Sequence, residues 1–367
     1  MSIIDRYIAR TFLSGYLILT VLGVGLYVLT DLMLNADEFT EDAGLPFTEM
    51  LRLMADFYLN NLSLYYSQLG GPLMAIAAAF TLAMMLRHNE LTTIVAAGVP
   101  LQRLLLPIVV CSVLLIGIWM ANRELLLPKL AHKVARKHDD IVGQRTHGVQ
   151  CARDARNAIL TADVFYPRAG RLEGVTIVEP DAHNRPQNLI QADAAVYDED
   201  RGTWVLERGV RIVMREPRGF DSLGAGLQRD FLDEFAFMLT PEELVLRRDS
   251  QWADLLSLRQ LTALLQSPNL PNARAINISR HVRLTQPVLQ WILLLLTTPF
   301  FLIREPTNVM VAGGKALVLG GAFFLTAFIA HSDIATDKNE IIAALVCWTP
   351  ILFFGPLTVL NAANVRT

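Results

Sequence analysis

Charge is scarce in this chain: of 367 residues, 18% are charged and 53% are hydrophobic. Soluble domains carry roughly a quarter charged residues, so membrane insertion is the leading expectation. The two signs nearly balance, 32 basic side chains against 35 acidic ones, which argues against a nucleic-acid partner. Cysteine is sparse: Cys111 and Cys347 fall in apolar runs and Cys151 stands alone in a polar region. That pattern supports neither a disulfide framework nor a paired-cysteine metal motif. Catalytic signatures are missing as well. There is no H-E-x-x-H, no G-x-S-x-G and no tight acidic metal motif in or near an apolar run. "VAGGKAL" offers Lys315 but lacks the upstream Gly and the Ser/Thr of a phosphate-binding loop. The chain is therefore expected to bind no cofactor itself, and any ATP-driven work must come from a partner.

Long apolar runs are present. A hydrocarbon core about 30 Å thick takes roughly 20 helical residues to cross. Six runs qualify: Thr11–Leu34, Leu69–Leu86, Leu104–Ala121, Pro287–Ile303, Val309–Ala330 and Ile341–Ala363. The first is too long for a signal-peptide core and no small-x-small site closes it, so it reads as a retained span. The apolar lead-in to the second, "MLRLMADFYLNNLSLYYSQLGGP", carries Asp56 and two Asn. It is expected at the interface or as a tilted extension, with a kink at Gly70, Gly71 and Pro72. Six spans place both termini on one side. Arg6, Arg10, Arg87, Arg103, Arg304, Lys315 and Arg366 all fall on that side, while "NADEFTEDAG" and "HSDIATDKNE" are mainly acidic. The positive-inside rule then makes both termini cytoplasmic.

Between the third and fourth runs the composition changes. "NAILTADVFYP", "RLEGVTIVEP" and "RDFLDEFAFML" are short β-prone runs punctuated by Gly, Pro, Asp and Asn, and "AAVYDEDRGTWVLERGVRI" reads as a hairpin. The spacing suits an antiparallel sandwich or barrel. Phe165, Tyr197, Trp204, Phe231, Phe235 and Phe237 are expected in its core. The expected architecture is a six-span α-helical membrane protein with an inserted all-β, jellyroll-like domain. Residues 1–121 hold spans one to three, 122–286 the β-domain with helical connectors, and 287–367 spans four to six.

The link between spans two and three, "RHNELTTIVAAGVPLQRLL", has its own start and stop signals. Asn89 is a suitable N-cap, and Glu90 sits in the first turn, where the helix dipole favours an anion. Gly98 suits the left-handed position after a helix, Val99 can pack back on Ile94, and Pro100 blocks continuation. A small capped helix on the cytoplasmic face follows. Two roles stand open for it: an interfacial connector, or a device that docks a cytoplasmic partner through Glu90, Thr92 and Thr93.

Other ionisable groups have two readings each. Asp31, in the outer third of span one, either lines a cavity or snorkels to the interface. Lys129, Lys133, Arg136 and Lys137 share a broad helical face that is solvated or meets anionic headgroups. His281 and Arg283, just before Pro287, are interfacial anchors or phosphate contacts.

Taken in order, these pieces resemble the LptF/LptG lipopolysaccharide export permease family. The carriers are "DRYIARTFL" at the entry to span one, "GGPLMAIAAAFTLAMMLRHNEL" through span two, and the acid, small helix and "AAGV" that follow. "GTWVLERGVRI", "LSLRQLTALLQ" and "SRHVRLTQPVLQWILLLLTTPFFL" continue the series. The resemblance implies an inner-membrane ABC exporter permease with a periplasmic jellyroll, paired with a second permease of the same kind. It implies a cytoplasmic ATPase dimer, holding ATP and Mg, that docks on a coupling helix at 88–99. It also implies a glycolipid substrate and a periplasmic jellyroll bridge protein. Carried onto this sequence, Glu90 is the docking carboxylate, with Leu91, Thr92, Ile94, Gly98 and Val99 shaping the helix. Asp31, Lys133, Arg136, His281 and Arg283 become candidates for lipid contact. Two positions depart from the family: Val95 stands where Arg is frequent, and Pro100 where Ser is frequent. A third departure is the outer end of span one, where Asp31, Asp37 and Glu38 replace the basic residues that meet lipid phosphates. The alternatives are a membrane enzyme, a scaffold with a binding module, and a lipoprotein-releasing permease. The last places its large external domain after span one, whereas here it follows span three.

Overall fold

The computed structural model describes residues 3–35, 47–134, 146–154, 156–167, 169–181, 185–213, 229–246, 252–266, 273–302, 308–331 and 340–364. Lys137, Arg136, Asp37, Glu38 and Arg304 lie outside them. The chain divides into two compact units, one built from residues 1–34, 61–128 and 274–367, the other from 35–60 and 129–273.

The first unit is helical. Its elements are α1 (Ile3–Leu34), α2 (Phe47–Arg87, entering from the other unit), α3 (Glu90–Ala96) and α4 (Leu101–Ala121). A π-turn over Asn122–Leu126 leads into α5 (Leu127–Val134), and the unit resumes with α8 (Ala273–Thr297), α9 (Val309–His331) and α10 (Glu340–Asn364). Six of these helices are long and apolar enough to cross a membrane. Ile8, Phe12, Met74, Ala77, Leu82, Leu104, Ile108 and Leu294 are almost fully buried in the shared core. Leu17, Val21, Leu22, Leu114, Leu317, Val318 and Phe353 face outward. Apolar residues on the outside are costly in water and at home in lipid.

The second span and its lead-in form one helix. α2 passes through Gly70, Gly71 and Pro72 without a break, and its apolar stretch covers Thr48–Arg87. The glycines admit close neighbours. A Cβ on Gly70 would sit 2.9 Å from Trp119 Cδ1, and one on Gly71 would sit 2.6 Å from Gln290 Cγ. Small residues let helices approach closely, here α4 and α8 against one stretch of α2. Trp119 then donates its indole N–H to the Ser67 carbonyl at 2.9 Å. Deeper along the same pair, Ser63 and Asn122 exchange two hydrogen bonds of 3.0 Å.

The π-turn has a visible cause. Pro128 has no N–H to return to the Glu124 carbonyl, and its ring crowds that carbonyl. A wider turn over 122–126 accommodates it. Pro287 lies inside α8, so the fourth span is likewise part of a longer helix than the apolar run alone marks.

The second unit is an antiparallel sheet with short helices α6 (Pro241–Leu246) and α7 (Leu258–Leu265). Its strands are β1 (His147–Arg153), β2 (Ile159–Tyr166), β3 (Arg171–Pro180), β4 (Pro186–Asp198), β5 (Thr203–Glu207), β6 (Val210–Val213), β7 (Arg229–Phe231) and β8 (Glu234–Phe235). β1 to β5 pair antiparallel in chain order; β5 then pairs β8, and β6, on the β4 edge beyond β5, pairs β7. β5 and β6 both pair with β4 in one continuous register, Ala194 opposite Glu207 and Gln191 opposite Val210. Arg208, at φ 54, and Gly209 interrupt that edge. A Cβ at Gly209 would lie 2.1 Å from the Leu232 carbonyl oxygen, so only glycine lets the next strand come this near. The core holds Phe165, Leu172, Ile177, Ile190, Trp204 and Phe237. Of the six aromatics expected inside, Phe231 is the exception, at 89% exposure.

Candidate functional site

α3 is seven residues long and lies between two spanning helices. Its far end is built as the sequence predicts. Gly98 takes φ 81, its N–H reaches the Val95 carbonyl at 2.9 Å, and Val99 N–H reaches the Ile94 carbonyl at 3.3 Å. This is a complete left-handed helix stop. Ile94, Val95 and Val99 pack against the helical core, and Leu91 is buried in it, 2% exposed. Thr92 and Thr93 are exposed, although the Thr93 hydroxyl is turned back to the Asn89 carbonyl at 3.1 Å.

The near end differs from expectation. Asn89 occupies the N-cap position, yet its backbone is left-handed, φ 58 and ψ 17, and its side chain makes no capping bond. The cause is the two-residue gap between α2 and α3. Asn89 must also end α2, its N–H bonding to the Leu86 carbonyl at 3.2 Å. Asn tolerates the left-handed backbone needed there, but a cap needs an extended one.

What holds the first turn is Tyr7. Its phenolic hydroxyl lies 3.1 Å from both Oε1 and Oε2 of Glu90, as a shared donor. Tyr7 sits in the second turn of α1, so the base of the first span is tied to α3. Tyr7 was not visible as a site residue in the sequence. Its only signal was its place within "DRYIAR".

The remaining candidates lie on other elements. Asp31 lies in the last turn of α1, partly exposed. Lys133 is half-buried in α5, in the second unit. Arg283 has a carboxylate partner within the bundle. Its side chain is 2% exposed and Nη1 lies 2.9 Å from Glu124 Oε1, in the π-turn. A guanidinium inside an apolar bundle needs a carboxylate partner, and Glu124 supplies it. His281 is engaged as well, its Nδ1 accepting from the Trp348 indole N–H at 3.4 Å. Both residues therefore tie α8 to its neighbours. Among the described residues no cluster of His, Cys, Asp and Glu is arranged to hold a metal ion.

No curated protein matches the chain. The family model described as lipopolysaccharide export system permease LptF/LptG matches residues 6–362. Spanning helices that flank a short helix with a built stop, an antiparallel β-insertion after the third span and this near full-length match agree: the chain belongs to the LptF/LptG lipopolysaccharide export permease family.

Proposed function

We propose that this chain is one permease subunit of an ABC exporter that lifts lipopolysaccharide, or a related glycolipid, out of the inner membrane. Membership of a transport permease family and six apolar helices, as in a multi-pass inner-membrane protein, support this reading. The observation that carries it is α3: a short helix with a built stop and a carboxylate at its head, between two spans. Such a helix takes a push from a cytoplasmic ATPase dimer and delivers it to α2 and α4. ATP and Mg belong to that ATPase. The chain itself carries no phosphate-binding loop.

In this reading both termini and α3 are cytoplasmic and the β-unit is periplasmic. A second permease of the family closes the lipid cavity, and the β-unit passes lipid to a jellyroll bridge protein. α3, at 88–99 with its caps, belongs to a first membrane segment ending near residue 121. A second begins near 287, and the β-domain with its connectors fills 122–286. Asp31 faces the outer half of the cavity, where a phosphate would be repelled. The substrate is then a sparsely phosphorylated glycolipid, or the second permease supplies the cations.

The test is transfer in proteoliposomes. The chain, its permease partner and the ATPase are reconstituted with donor lipopolysaccharide and a soluble jellyroll acceptor. ATP-dependent appearance of lipid on the acceptor is expected. ATP hydrolysis with no transfer of any glycolipid would remove the reading.

A further inference from the structure

We propose that Tyr7 is a positioning residue for the ATPase contact: its phenol holds the Glu90 carboxylate and makes α1 move with α3. This rests on the exporter reading for its consequence but not for its geometry. Three observations combine. First, α3 has no side-chain cap at its start, because Asn89 is committed to ending α2. The first turn of a helix without a side-chain cap depends on contacts from outside it. Second, Glu90 is held from outside its own helix, by Tyr7, 83 residues earlier in the chain, with both oxygens at 3.1 Å. Third, Tyr7 is 48% exposed. A tyrosine at a half-exposed helix position gains little from burial there, and its hydroxyl is the group that meets Glu90.

The consequence is mechanical. Leu91 and the Gly98 stop fasten α3 to the core next to α2 and α4. Without Tyr7, the head of α3 would follow the ATPase while α1 stayed behind. With it, a displacement of Glu90 pulls on the second turn of a 32-residue helix. The outward apolar face of α1 is the surface through which that pull reaches lipid or the second permease. A hydrogen bond to a carboxylate is directional, so it also sets which way Glu90 points toward a basic group on the ATPase.

The experiment has two readouts. In the full chain with Cys151→Ser, in lipid nanodiscs, a nitroxide on Thr92→Cys reports the mobility of α3 with no ATPase present. Tyr7→Phe removes only the donor and is expected to raise the mobile fraction about fivefold, the worth of one such bond. Glu90→Gln keeps an acceptor for the phenol and is expected to leave the label restrained. In the reconstituted complex without the label, Tyr7→Phe is expected to lower lipid moved per ATP hydrolysed while ATPase stoichiometry holds. Unchanged label mobility in Tyr7→Phe overturns the proposal, and so does raised mobility with unchanged lipid per ATP. If the wild-type chain binds no ATPase, the exporter reading fails on its own, and the nitroxide still decides whether Tyr7 holds Glu90.

Discussion

Arg283 and Glu124 form an ion pair of 2.9 Å with the arginine side chain 2% exposed. The pair joins α8 to the π-turn after α4, where Pro128 has displaced the regular hydrogen-bond ladder. Removing one partner strands a charge in the bundle, whereas replacing both with apolar residues leaves none. Glu124→Ala is expected to cost about 3 kcal/mol, the low end for a buried pair, because Glu124 remains 29% exposed. The double variant Glu124→Leu, Arg283→Met should recover most of that loss. Thermal unfolding in detergent reads both. A double variant no more stable than Glu124→Ala would mean that the pair does something other than neutralise Arg283.

Gly70 is a packing position. Its missing side chain admits Trp119, and Gly70→Ala would place a methyl 2.9 Å from a rigid indole carbon. The expected cost is about 1–3 kcal/mol, as for other overpacked cores. Gly71→Ala should cost less, because the group it meets is the flexible Gln290 side chain, and Gln290→Ala should relieve it. Melting temperatures of the three variants test the order.

Gly98 differs in kind. No atom lies within 4 Å of a Cβ built there, so space is not the constraint. Its φ of 81 is, and Gly98→Ala should cost about 1–2 kcal/mol through the left-handed backbone alone. Gly98→Asn should be milder, since Asn visits that region more readily. Recovery of bound ATPase should follow the order Gly, Asn, Ala.

In the β-unit, Trp204 is fully buried and donates its indole N–H to the Leu239 carbonyl at 3.0 Å. Trp204→Ala should cost about 3–5 kcal/mol. Limited proteolysis of the full chain should then cut within 147–246 well before the spanning helices. Uniform resistance would mean that the sheet does not depend on this side chain.

Much of this architecture was legible because lipid imposes a simple code. Six apolar runs marked six spans, and "DEDRGTW" marked the β4–β5 hairpin, whose Gly202 takes a positive φ of 64. The Gly98 stop was equally plain, since few residues take that backbone. What stayed hidden depended on distant partners. The packing role of Gly70 and Gly71 stayed hidden because the residues that fill their space, Trp119 and Gln290, lie about 50 and 220 positions away. Asn89 looked like a cap because its second duty, ending α2, appears only when the gap between helices is known to be two residues. The partner of Arg283 was hidden because Glu124 is 159 residues upstream. Tyr7 carried no local signal, since its role exists only through Glu90.

The central claim is that α3, through Glu90, is where a cytoplasmic ATPase drives this permease. The most direct measurement is purification of the tagged chain from native membranes, with bound proteins identified by mass spectrometry, for wild type and for Glu90→Lys. The account predicts an ABC ATPase with an intact phosphate-binding loop beside the wild-type chain and its loss from a folded Glu90→Lys variant. A wild-type chain that carries no ATPase, or a Glu90→Lys variant that retains it in full, would contradict it.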